Sequence, residues 1–256
     1  MEKTLESSYT VYNYLWKGQA YHIMKVPSLF IFDMDGLIYD TERVFMKFIG
    51  EVMAEHGYTL TEAQYIRTLG RSRSDCVAVM KEMFGQDYPS YELSGIARER
   101  LNTYALDHPM PEKPGIRELL RMIKVQRIHC CIASSSPKKT VEIYLKTSHL
   151  DSYFDFIMSG EQLTHSKPDP EVFLKCLEHY GIAAEDAVVL EDSEPGIQAS
   201  INAGIPVICI PDMIQPAESL QQQCWCVAED AGCVQEFIFG RSEGSCGGSG
   251  CGCGGH

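Results

Sequence analysis

The stretch Leu29-Phe30-Ile31-Phe32-Asp33-Met34-Asp35-Gly36 restricts this chain more than any other. Four consecutive large apolar residues read as a strand covered on both faces, the pattern of a parallel sheet lying between layers of helix. That strand stops at two carboxylates one residue apart. Side chains at i and i+2 of an extended backbone share a side, so Asp33 and Asp35 point together beyond the strand end. Like charges so placed repel. Relief comes from a hard divalent cation such as Mg²⁺, or from a division of roles in which one carboxyl is an ionised nucleophile and the other a protonated general acid. Gly36 permits a sharp turn and a close approach of backbone to ligand. An acidic turn capping a strand would read the same, so the remaining motifs decide.

At 256 residues the chain has room for a full α/β core and a second small domain. Its 35 acidic and 22 basic residues give a net charge of −13, which disfavours nucleic acid or an anionic membrane as a partner. No segment offers ~18 uninterrupted apolar residues, and the first 25 residues lack a signal-peptide apolar stretch. The expectation is a soluble, cytoplasmic protein, with a monomer as the default oligomeric state. Eleven cysteines, an odd count without a secretory signal, argue for reduced thiols.

Residues 1–25 show no clear periodicity and read as an extension packed on the surface or acting as an arm. From Thr41 the pattern is helical: Val44, Phe45, Phe48, Ile49, Val52 and Met53 recur at spacings of three and four. Helical reading continues through Thr61–Leu69, Asp75–Phe84 and Tyr91–Leu106, interrupted by the turn Leu69-Gly70-Arg71-Ser72-Arg73. The prolines and glycine of Pro111–Gly115 punctuate the return, and Ile116–Ile123 reads as an amphipathic helix.

Three further strand ends carry polar groups. The strand Ile128–Ala133 ends in Ser134-Ser135-Ser136-Pro137, a serine cluster that by itself suits a helix cap. Ser166-Lys167-Pro168-Asp169-Pro170 places a lysine before a proline-initiated helix. The strand Ala187–Leu190 ends in Glu191-Asp192-Ser193, a second acidic pair that either caps the next helix or supplies oxygens to a cation. Repeated β-then-α units imply a Rossmann-like α/β fold, a parallel sheet with helices on both faces, in which ligands sit beyond the carboxyl ends of the strands. All of these polar groups lie there. The tail from Ser242 is glycine-rich and reads as disordered, although Cys246, Cys251, Cys253 and His256 offer ligands for a soft metal such as Zn²⁺.

In order and spacing, DMDGLIYDTE, the serine cluster, KPDPEVF and EDSEPGIQASINAG resemble the four signatures of the haloacid dehalogenase-like hydrolases, in the β-phosphoglucomutase-like branch. The resemblance spans about Lys25 to Asp212. It implies a core of residues 26–43 and 111–240, a helical cap of residues 44–110 that closes over the site, an extension 1–25 and a tail 241–256. It implies Asp33 as nucleophile and Asp35 as acid/base, a residue that the dehalogenases lack and that points to phosphoryl transfer. Ser134 and Lys167 hold the phosphoryl oxygens, and Gly36, Ser135 and Arg73 contact substrate. Mg²⁺ is held by Asp33, the Asp35 backbone carbonyl and Asp192, with Glu191 a direct or water-mediated ligand. The activity so implied is hydrolysis of a small organic phosphate monoester through an aspartyl phosphate. A sugar phosphomutase is the alternative, weakened by Phe45 where those mutases carry His and by Leu69 where they carry Lys. A catalytically retired binding protein is a further alternative, against which the intact catalytic set stands.

Overall fold

The computed structural model describes residues 26–71 and 73–240, and the backbone of a two-residue antiparallel pair, β1 (Leu15–Trp16) with β2 (Gln19–Ala20). Readings made for the rest of the N-terminal extension and for the tail, including its cysteines and His256, lie outside the described residues.

The apolar run becomes β3 (Leu29–Phe32), buried at every position and central in a six-stranded sheet. β4 (His129–Ser134) and β6 (Ala187–Glu191) flank it, β5 (Phe156–Ser159) lies beyond β4, and β7 (Val207–Cys209) and β8 (Cys226–Val227) lie beyond β6. All pairings are parallel, with Phe32 level with Ile132 on one side and Leu190 on the other. The two-residue period sorts the strand side chains onto opposite faces. Phe30, Phe32, Ile132 and Leu190 join one buried cluster with α5 (Ile116–Val125), α6 (Lys138–Ser148) and α10 (Ala231–Phe239). Leu29, Ile31, Cys131 and Val189 join another with α7 (Glu171–Tyr180) and α8 (Glu194–Ala203). Helix α5 buries Ile116, Leu119, Leu120 and Ile123, the i, i+3, i+4, i+7 stripe. Each such side chain contributes about 1.5–3 kcal/mol by leaving water.

Between β3 and α5 the elements among the described residues are the helices α1 (Thr41–Glu55), α2 (Glu62–Ile66), α3 (Arg73–Phe84) and α4 (Ser90–Asp107). They share a separate buried cluster containing Ile49, Val52, Met53, Tyr65, Met80, Tyr88, Leu93 and Ala97. Helix α2 is shorter than the periodicity suggests. A capping box between Thr61 and Gln64 starts it, and Thr68 Oγ1 turns back to the Tyr65 carbonyl at 2.7 Å, an alternative to continuing the helix. The two passages between sheet and helical insert are joined to each other: Asp40 N donates to Pro111 O at 2.8 Å and Lys113 N to Ile38 O at 2.9 Å.

Cys76, Cys130, Cys131, Cys176, Cys209, Cys224 and Cys226 are free thiols, as expected, whereas Cys233 is disulfide-bonded and departs from that expectation. No helix among the described residues is long and apolar enough to cross a membrane. The sheet order matters most for the site. The chain lays β4 and β5 on one side of β3 and then returns to lay β6 on the other, so a crevice opens beyond the carboxyl ends of β4, β3 and β6.

Candidate active site

The three central strands deliver Asp33, Ser134 and Glu191 to that crevice, and the loop before α7 brings Lys167 to meet them. The Lys167 ammonium has three protons and three acceptors: Asp33 Oδ1 at 2.5 Å, Glu191 Oε1 at 2.6 Å and the Ala133 carbonyl at 3.1 Å. Its side chain is 7% exposed and that of Glu191 is 0%, so the charges face each other with little water between them. Burial works to strip the proton from Lys167, but the combined pull of Asp33 and Glu191 overrides it and the ammonium is held more firmly than in water.

For Asp33 the balance differs. Burial lifts its carboxyl from 3.8 to about 7; Lys167 pulls it back, while Glu191 and Asp35 add repulsion. Asp33 Oδ2 accepts no hydrogen bond among the described residues, which leaves an oxygen for an incoming electrophile or a cation. Asp192 is raised well above the ordinary carboxyl range, chiefly by burial and then by repulsion from Glu191, Asp33 and Asp212. Carboxylate oxygens of Asp33, Glu191 and Asp192 lie within 4.8 Å of one another. An all-oxygen, like-charged cluster of this kind fits a hard divalent cation.

The structure gives several of the expected residues definite local partners. Both oxygens of Glu191 are committed: beyond Lys167, Oε2 accepts from Asp192 N, Ser193 N and Ser193 Oγ, each at 2.9 Å. It shapes the turn before α8 and aims the lysine. Gly36, at φ 81°, lies close to Asp192 of the second acidic pair. A Cβ there would collide with the Asp192 carboxylate and stand 3.3 Å from Asp212 Oδ2. Ser134 is fully buried and its Oγ accepts from Ser136 N at 3.0 Å. Ser135 is exposed, and its carbonyl packs on Gly160, where a Cβ would meet it at 2.5 Å. Ser136, which was not expected at the site, donates from Oγ to Asp35 Oδ2 at 2.7 Å. The i, i+2 alternation from Ser134 was the signal for it.

Arg73 is exposed, with its guanidinium 5.2 Å from the centroid of the Tyr91 ring. On α4, Arg98 lies 4.4 Å over the Phe45 ring. Its charge acts on Glu42, Tyr65 and Tyr144, and Glu42 and Tyr144 also feel Asp35. Tyr65 Oη donates to Glu42 Oε2 at 2.6 Å. Glu42 ends the DMDGLIYDTE stretch, so its nearness to Asp35 was open to reading, whereas no local pattern marks Arg98. A second acidic group, His165, Asp169 and Glu171, is spent on local structure: Glu171 accepts from Thr164 N and His165 N and pairs with Lys175 at 2.7 Å.

The comparison that decides the family is a sequence model described as haloacid dehalogenase-like hydrolase, which matches residues 30–210, the span that carries the whole crevice. The chain belongs to the haloacid dehalogenase-like hydrolases. Among curated members, the phosphorylated carbohydrates phosphatase of Thermotoga maritima is 32% identical over 176 residues, 68% of this chain and 81% of that one. Hexitol phosphatase B of Escherichia coli K12 is 32% identical over 188 residues, 71% of this chain and 82% of its own. A crystal structure from Thermotoga maritima, provisionally named beta-phosphoglucomutase, superposes with a TM-score of 0.64 at 28% identity, covering 76% of this chain and 90% of that one. The likeness to the β-phosphoglucomutase-like branch therefore holds in sequence and in fold.

Proposed function

We propose that this hydrolase is a Mg²⁺-dependent phosphatase of small phosphorylated carbohydrates that works through a phosphorylated Asp33. The observation that carries the reading is the pairing of Asp33, clamped by Lys167 through one oxygen and free at the other, with a second carboxylate, Asp35, held by Ser136. Asp33 attacks the phosphorus in line and forms the Asp33–phosphorus bond as the bond to the leaving alcohol oxygen breaks. Asp35, protonated for this step, gives its proton to that oxygen. The carboxylate then takes a proton from water, whose oxygen attacks phosphorus and releases Asp33 and inorganic phosphate. Lys167 and the Ser134 hydroxyl face the phosphoryl oxygens, and the low exposure around them strengthens each interaction.

Asp33, Asp192 and the Asp35 carbonyl would hold the Mg²⁺, with Glu191 acting mainly through Lys167. When bound, the ion supplies positive charge against the negative phosphoryl group and the crowded carboxylates. The helical insert, residues 44–110, serves as a cap on the core of residues 26–43 and 111–240, and it presents Tyr65 and Arg98 to the substrate beside Glu42 of the core. A carboxylate and a phenol suit the hydroxyls of a sugar or sugar alcohol, as the names of the carbohydrate and hexitol phosphatases suggest. Phe45 under Arg98 gives no imidazole at the position where the mutases have one, so hydrolysis is favoured over phosphoryl return.

Phosphate release from a panel of sugar phosphates, sugar-alcohol phosphates and nucleotides tests this, with Mg²⁺ and with EDTA, for the intact protein and Asp33→Asn. The expected result is Mg²⁺-dependent release that Asp33→Asn abolishes. Release that survives in Asp33→Asn would end the covalent reading, and no release from any ester would end the phosphatase.

A further inference from the structure

One strand beyond the second acidic pair, the loop after β7 carries Asp212, which no local pattern marks. Its side chain is 5% exposed, and its two oxygens differ in what they meet. Oδ1 accepts from Arg43 Nη1 at 3.0 Å and from Lys113 Nζ at 2.5 Å. Arg43 stands in the first turn of α1, where the chain leaves the core, and also pairs with Asp40 at 3.0 Å. Lys113 stands where the chain returns. One core carboxylate oxygen is thus gripped by a cation from each passage between core and helical insert, and those passages are already joined through Asp40–Pro111 and Lys113–Ile38. Arg43 is 45% exposed and Lys113 15%, so Lys113 makes the stronger of the two pairs.

Oδ2 is buried without a hydrogen-bond partner among the described residues. A charged oxygen in that state is unfavourable unless a donor or a cation compensates it. It stands 3.3 Å from the point where a Gly36 Cβ would lie, and Asp192 Oδ2 crowds the same point more closely. The unpartnered oxygen therefore faces the cation side of the site while its twin holds the passages to the insert.

We infer that Asp212 is a positioning residue that couples the cation site to the helical insert: Oδ2 accepts from the hydration shell on the cation side, and Oδ1 pins both passages. This rests on the Mg²⁺ reading above. Binding of the ion fixes the Asp212 carboxylate, which in turn stiffens the hinge on which the insert moves. The absence of a Cβ at Gly36 is what lets Asp192 and Asp212 come together.

The test uses the full chain and Mg²⁺ alone, without substrate. Titration calorimetry reads Mg²⁺ affinity, and hydrogen–deuterium exchange reads the Asp40 and Lys113 amides, both of which donate across the hinge. In the intact protein Mg²⁺ slows exchange at both amides. Asp212→Asn lowers Mg²⁺ affinity by about tenfold or more and abolishes that response. The pair Arg43→Met with Lys113→Met keeps the affinity, since Oδ2 is untouched, but loses the response at the hinge. Intact affinity or an intact hinge response in Asp212→Asn overturns the inference; should that variant fail to fold, a hinge response surviving in the double variant overturns it. An intact protein that binds no Mg²⁺ overturns the cation reading itself, and this inference with it.

Discussion

Replacing Asp33 with Asn should stabilise the cation-free protein while abolishing turnover. Burial lifts the Asp33 carboxyl from 3.8 to about 7, so holding it ionised in the fold costs about 4 kcal/mol, at about 1.4 kcal/mol per pH unit. The folded carboxyl binds its proton more tightly than the unfolded one. Stability therefore falls as pH rises between 3.8 and about 7, and the whole penalty is present above that window. The value of about 7 is already net of the pull of Lys167, so what Asn forfeits is the cost of burying amide N–H donors among these groups, about 2 kcal/mol, and roughly 2 kcal/mol survives as a net gain. For a chain of this length that is a rise in Tm of about 4–8 °C. The assay is thermal unfolding in EDTA at pH 8 and pH 5, for intact protein and Asp33→Asn. At pH 8 the variant melts higher; at pH 5, where the intact protein carries the Asp33 proton, the gap closes by more than half. A gap independent of pH, or a variant that melts lower at pH 8, would refute the reasoning.

Lys167→Met leaves Asp33 and Glu191 facing each other without their shared cation and should lose about 3–5 kcal/mol in urea unfolding, partly restored by added Mg²⁺; unchanged stability would show that the clamp is not structural. Ser136→Ala frees the Asp35 carboxylate and should lower kcat about tenfold with KM little changed, whereas an unaltered kcat in steady-state assays would remove Ser136 from the site. Gly36→Ala forces a side chain into a left-handed backbone and into the Asp192 carboxylate; calorimetry should show Mg²⁺ affinity down by about tenfold or more, and full affinity would mean that the acidic pair tolerates being moved.

Much of the site was legible because the chemistry is concentrated at strand ends. An apolar run of four residues can only be buried on both sides, and β3 is. Its two-residue period then fixes which side Asp33 takes, and Lys167 does meet Asp33. The helical stripe of α5 appears where the spacing of its apolar residues places it. The choice between Ser135 and Ser136 was harder, since three identical residues give no compositional signal and only the exact end of β4 decides which hydroxyl turns inward. Arg73 and Arg98 are both arginines on the helical insert. Which of them stands near Glu42 depends on how α4 crosses α1, and no periodicity within one helix carries that information.

The sequence alone determined the parallel sheet, the order of the polar strand ends and the kinds of group available, because burial and side-chain alternation act over a few residues. Tertiary structure decided the pairings. Lys167 reaches Asp33 across 134 positions, Ser136 reaches Asp35 across 101 and Lys113 reaches Asp212 across 99. Those meetings follow from the strand order and from where each loop leaves the sheet. They decide that Glu191 holds a lysine, that Gly36 makes room for two carboxylates, and that Asp212 joins the site to the hinge.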